Sequence, residues 1–292
     1  MVYFIFAIIS GCSAVRLIYN QGDTLTYWWL DDHIGFNSEQ EAFTRSSLEH
    51  LFGWHRTEQL QAIATTLDKA QQKLQKPISK EEMMGLTSDF KKHGYSIFDQ
   101  IIPDAAKLVI SLEPGQIDSI EKRFAKNNEK FRKEFLPDNK DKQVKVRADR
   151  VIDRTEWLFG GLSKDQEKKI REFLLNHPVD MEMVYKERLR RQSDFIQICK
   201  EVNQKKLNQK ATEALLKDYM KFFEAGKTKD QQAFNKKWME TGAEVTSFIT
   251  QIMNDEQRQH AFERIGGWVA DVRELIRDSS ALAAKRSAPL NR

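Results

Sequence analysis

Residues 117–135 read IDSIEKRFAKNNEKFRKEF, and the spacing of their apolar members decides the fold class. Ile117, Ile120, Phe124, Phe131 and Phe135 fall on one face of a helix, with one turn missing at Asn127-Asn128. Side chains three and four residues apart share a face at 3.6 residues per turn, so the segment predicts an amphipathic helix. Phe262, Ile265, Val269, Val272 and Ile276 form a second stripe of the same period. No alternation of apolar and polar residues persists long enough to propose a strand. The expectation is an all-α chain with no sheet.

Working outward, the same period predicts helices near 21–32, 38–75, 79–100, 104–111, 114–136, 141–159, 164–175, 178–203, 207–225, 229–251 and 255–278, some of them merging. Pro77, Pro103, Pro114, Pro137 and Pro178 are read as places where a helix stops or begins, and Gly160-Gly161 and Gly226 as two further ends. A continuous helix over 38–75 would run about 57 Å at 1.5 Å per residue. An extended multi-helix bundle or arch of long helices is therefore expected. The helical domain is placed at 21–278, with two subdomains divided near 137–162 and a frayed tail over 279–292.

Composition agrees: of 292 residues 40% are hydrophobic and 31% charged, with only 13 glycines and 6 prolines, a balance that suits long helices. The net charge of +4, from 47 basic and 43 acidic residues, is too mild to call for a nucleic-acid partner. No apolar run beyond the N-terminus approaches the roughly 18 residues needed to span a bilayer, which excludes a polytopic membrane protein.

Residues 2–9 are continuously apolar and run into Ser10-Gly11-Cys12-Ser13. Ile9-Ser10-Gly11-Cys12 resembles the lipobox of bacterial lipoprotein leaders. The resemblance implies a signal peptide over 1–11, cleavage between Gly11 and Cys12, and lipidation of Cys12 by diacylglycerol and palmitate-type chains. Residues 12–20 would then be a tether. Several acyl chains at about 0.8 kcal/mol per buried CH₂ hold a protein stably at a membrane where one chain does not. Ser13 after the cysteine favours the outer membrane over the inner. The alternative is a buried first helix with Cys12 as a small core residue. Cys199, the other cysteine, lies in the apolar run Phe195-Ile196-Gln197-Ile198-Cys199 and reads as a buried structural thiol, so no disulfide framework is expected.

Four segments share one pattern: Phe36-Asn37-Ser38-Glu39-Gln40, Leu112-Glu113-Pro114-Gly115-Gln116, Leu162-Ser163-Lys164-Asp165-Gln166 and Met253-Asn254-Asp255-Glu256-Gln257. Each reads as a capping box, in which the second residue accepts from the N3 backbone N–H while the N3 Gln reaches back to the N-cap N–H. Capping boxes begin helices in any protein, so common ancestry or function is not required. The Leu-Ser-x-x-Gln form is similar to the repeated Leu-Thr-x-x-Gln motif of the Spy and CpxP periplasmic proteins, helical members of the envelope stress response that include an ATP-independent chaperone. A wider similarity joins residues 10–20, 24–31, 117–135 and 187–192 to an uncharacterised family of Gram-negative lipoproteins, a domain of unknown function. That resemblance implies a lipoprotein and supplies no activity.

His50 and His55 are five residues apart, wrong for an i, i+4 metal pair, and no zinc spacing, phosphate loop or nucleophile elbow occurs. No catalytic residue, metal or cofactor is expected. Asp31, Asp32 and His33 read as an exposed helix end. Tyr27-Trp28-Trp29 is expected to be buried against the bundle, the alternative being a place at lipid headgroups. Lys122, Arg123, Lys126, Lys130, Arg132 and Lys133 form a candidate partner-binding surface. The competing reading is a solvated face with Glu121, Glu129 and Glu134 as local partners. Arg188, Arg190 and Arg191 form a second basic cluster. The expected function is a non-catalytic envelope lipoprotein facing the periplasm and binding protein partners or unfolded clients in a chaperone-like way. The alternative is a structural or assembly scaffold.

Overall fold

The computed structural model describes residues 12–287, with side chains over 15–279. Among these the chain is all-α and contains no strand. The order is α1 (Cys12–Asn20), α2 (Gly22–Ile34), α3 (Ser38–Trp54), a π-helical turn (His55–Gln59), α4 (Leu60–Lys73), α5 (Lys80–Ser111), α6 (Pro114–Phe135), α7 (Lys140–Phe159), α8 (Lys164–Asn176), α9 (Met181–Lys205), α10 (Gln209–Ala225), α11 (Lys229–Ile252) and α12 (Asp255–Ser287).

Several expected boundaries change. Pro103 does not end a helix but sits inside α5. It faces solvent while Ile102, Ala106 and Val109 are buried, so packing on both sides of it outweighs the local cost of about 3 kcal/mol. The run from Ser38 is interrupted by the π turn, which admits an extra residue and rotates the face that follows. Helix α12 continues to Ser287, through much of the segment expected to fray. The tether expected over 12–20 is helix α1, packed on α12, where Arg16 pairs with Glu274 at 2.6 Å and Asp278 at 3.7 Å.

Three apolar clusters hold the bundle. The first gathers Leu74 and Ile78 with residues of α7, α8, α11 and α12, including Ile152, Ile170, Ile249 and Ile265. The second joins α5 and α6 to α9 and α10 around Ala106, Ile120, Val202 and Leu216. Cys199 lies there fully buried, and desolvation pushes its thiol up to about 12. The third fastens α4 to α12 through Leu60, Ala64, Val272 and Leu275. The first two clusters each draw on residues from both sides of 137–162.

Candidate functional site

The four Gln-bearing helix starts meet in two pairs. Gln40 Nε2 donates to Gln116 Oε1 at 3.0 Å, and Gln116 Nε2 returns the bond to Gln40 Oε1 at 2.7 Å. Gln166 and Gln257 do the same at 2.7 and 3.0 Å. Each amide donates once more, to a carbonyl at the end of the opposing hairpin's first helix: Gln40 to Ser111, Gln116 to Gly35, Gln166 to Ile252 and Gln257 to Gly161, all at 2.7–2.8 Å. Each Oε1 also accepts from its own N-cap N–H, on Asn37, Glu113, Ser163 and Asn254. Every amide thereby uses both lone pairs and both N–H groups. Asn37, Ser163 and Asn254 cap the N3 backbone N–H as their side chains dictate. Glu113 differs, because the Gln116 N–H goes to its backbone carbonyl while its carboxylate lies 3.5 Å from Asn37 Nδ2. The glutamines read as separate helix starts are two interhelical clasps, which local sequence cannot show. Thr228 with Gln231 and Ser79 with Glu82 form further capping boxes without such pairing.

Gly11 lies outside the described residues. Cys12 opens α1, but its side chain lies outside them as well.

The basic run on α6 does not form one free surface. Arg123 pairs with Asp32, and Arg132 lies 3.8 Å from Glu182 with its guanidinium over the Tyr185 ring. Lys122 and Lys126 border a shallow hollow with Asp31, Asp32 and His33, while Lys130 and Lys133 are exposed. Two acids expected to pair locally reach other helices instead, Glu121 to Lys200 and Glu134 to Arg150. Asn128, in the turn missing from the apolar stripe, is buried between Arg188 Nε and Gln192 Oε1, both at 2.7 Å. The second basic cluster is also structural: Arg190 grips the buried Glu187, Asp194 and the Phe222 carbonyl, and Arg191 covers the Phe223 ring.

The feature that sequence reading missed is a trough on both sides of α11. One side, of ≈ 570 Å³, has walls from Phe131, Phe135, Val146, Leu158, Val184 and Val245. This volume falls in the usual range of about 300–1,000 Å³ for binding sites. Three arginines of α7 border it. Arg147 is half-buried, donates to the Leu174 and His177 carbonyls at 3.1 and 2.8 Å, and has its pKa lowered by desolvation. Arg150 lies 4.1 Å over the Phe135 ring and pairs with Glu134. Arg154 is exposed and makes no ion pair among the described residues.

The other side, of ≈ 440 Å³, holds Met83, Met84 and Met239, with Lys91 bound to Glu224 at 2.8 Å. Trp238, Gly242 and Thr246 border both sides. A Cβ at Gly242 would meet nothing within 4 Å, so this glycine leaves the crest of the trough open. The signal in the sequence is Trp238-Met239 near Gly242 in a helix, but periodicity does not say that the face stays uncovered.

Among the described residues no group of three or more His, Cys, Asp or Glu is placed to hold a metal, and no helix is long and apolar enough to cross a membrane. What the structure presents is an all-helical protein with an apolar, arginine-bordered trough. The chain belongs to a family of unknown function, DUF6279, whose model matches residues 32–230. No curated protein and no solved structure matches it.

Proposed function

We propose that this chain is a lipid-anchored protein of the Gram-negative envelope, facing the periplasm, whose trough binds apolar segments of partner proteins or unfolded clients without catalysis. The observation that carries the reading is the trough beside α11. Flexible Met side chains can repack against varied ligands, as they do on promiscuous binding surfaces. The aromatic walls supply buried area, and Arg154 at the rim, which makes no ion pair among the described residues, favours acidic groups flanking an apolar segment. The Ser10-Gly11-Cys12 segment supports the anchor, through acylation of Cys12, and Ser13 supports the outer membrane.

The binding half is tested by aggregation of model clients with and without the purified chain, in the absence of nucleotide, comparing wild type with Gly242→Leu. Suppression that the variant loses is expected; no suppression of any client removes the chaperone-like reading. Crosslinking in cells separates it from a scaffold, since a scaffold yields one dominant partner. Mass spectrometry of the mature N-terminus tests the anchor, and an uncleaved, unmodified chain overturns it.

A further inference from the structure

Trp28 and Trp29 were expected to be buried, and the structure turns them outward: they are 58% and 60% exposed, while Tyr27 is the buried member of the triplet. Leu17, Ile18 and Leu25 are also exposed. Gln21 is the only residue between α1 and α2, and hydrogen bonds run through it, from its N–H to the Ile18 carbonyl and from Leu25 N–H to its own carbonyl. Gln21 itself is non-helical, at φ −110° and ψ 9°, so the α-helical ladder is interrupted there and α2 begins anew. Leu17 and Ile18 of α1, Gln21 at the junction, and Leu25, Trp28, Trp29 and Asp32 of α2 are all exposed, and their spacings of three, four and seven residues make an outward stripe over the two helices. The inward side is occupied by Tyr19, which bonds His55 of the π turn at 2.8 Å, and by Tyr27, beneath the Arg45 guanidinium at 3.6 Å.

We infer that α1 and α2 lie along a phospholipid bilayer surface, with Leu17, Ile18, Leu25, Trp28 and Trp29 in the headgroup and upper acyl region. Two features select lipid over a protein partner. The stripe begins five residues after Cys12, so the chain leads into it from the residue proposed to carry the acyl chains. Its far end carries paired indoles, the side chains favoured where an apolar layer meets water. Asp32, on the same stripe, is neutralised by Arg123, and Lys122 and Lys126 beside it suit anionic headgroups. At 1.5 Å per residue the two helices can separate Trp29 from Cys12 by up to about 25 Å. Two contacts that far apart would orient the domain where a lone anchor leaves it free to swing. The inference rests on the anchored reading above and adds a second, noncovalent contact.

The test uses the full chain with mixed phosphatidylethanolamine and phosphatidylglycerol vesicles. Subtracting the emission of a Trp28→Phe/Trp29→Phe variant isolates two of the six tryptophans. The expected difference spectrum is blue-shifted, protected from aqueous iodide, and about halved by lipid brominated high on its acyl chains. In a Cys12→Ser background, Trp28→Ser/Trp29→Ser should weaken vesicle partitioning about tenfold or more. Vesicle-bound chain whose two indoles stay open to iodide overturns the inference and spares the anchor. Indoles quenched by bromolipid in unacylated chain sustain the inference while the anchor fails. Chain that never binds vesicles overturns both. Indoles shielded from iodide and bromolipid alike, in a dimer that the serine variant abolishes, assign the stripe to a second copy and overturn the inference.

Discussion

Gln40 and Gln116 lie 76 residues apart and exchange two side-chain hydrogen bonds, each amide also accepting from the N-cap N–H of its own helix. Both side chains are buried, at 4% and 9% exposure, so each lost partner strands a polar group away from water. Gln40→Ala takes one donor and one acceptor from Gln116 and orphans the Asn37 N–H and the Ser111 carbonyl, and should cost about 1–3 kcal/mol in denaturant unfolding. The double Ala variant should cost less than the sum of the singles, by about 0.5–3 kcal/mol of coupling. Strictly additive losses would show that the clasp is two separate caps.

Asp271 is buried at 2% exposure, and its Oδ2 has no hydrogen-bond partner among the described residues. Desolvation raises its pKa, and the attraction of Arg16 only partly opposes this. A raised folded-state pKa means that the fold prefers the protonated acid. Its stabilising effect is complete below the unfolded value and is lost as pH rises through the folded one. Asp271→Asn should therefore raise Tm at neutral pH, by about 2–4 °C. That advantage should shrink as pH falls and vanish below the ordinary aspartate range. A Tm gap between variant and wild type that is independent of pH would contradict this assignment.

Gly242 is exposed in the interior of α11, with open space where a Cβ would stand. Gly242→Ala should stabilise the chain by about 0.5–1 kcal/mol through helix propensity alone. Gly242→Leu should keep Tm near wild type while cutting client affinity about tenfold, the effect of roughly 1.4 kcal/mol of lost contact. Thermal melts paired with a binding titration separate the two effects. A leucine variant that binds as well as wild type would place binding elsewhere.

A Cβ on Gly22 would lie 2.3 Å from Phe52 Cε1, so α2 can approach α3 this closely only without a side chain there. Gly22→Ala should destabilise the chain by about 1–3 kcal/mol, as overpacking does. It should also speed amide exchange across α1 and α2 relative to the rest of the bundle. Adding Phe52→Ala should restore slow exchange. If it does not, the loss reflects something other than the clash.

Much of the molecule is local and was legible in the chain itself. Helix starts at Asn37, Ser163 and Asn254 follow from a side chain bonding a backbone group three residues on, and the all-α class follows from a 3.6-residue period. These depend on neighbours in sequence, which are neighbours in space in any helix. What is decided at a distance was not legible. Pro103 stays inside α5 because of the packing on either side of it. The two tryptophans face outward because Tyr27, Tyr19 and Gly22 take the contacts with α3 and the π turn. The trough exists because no element among the described residues covers α11 between α7 and α5. The Gln40–Gln116 clasp belongs to the same group: sequence wrote each half as a cap, and only the meeting of two helix hairpins supplied the second donor–acceptor pair that joins them.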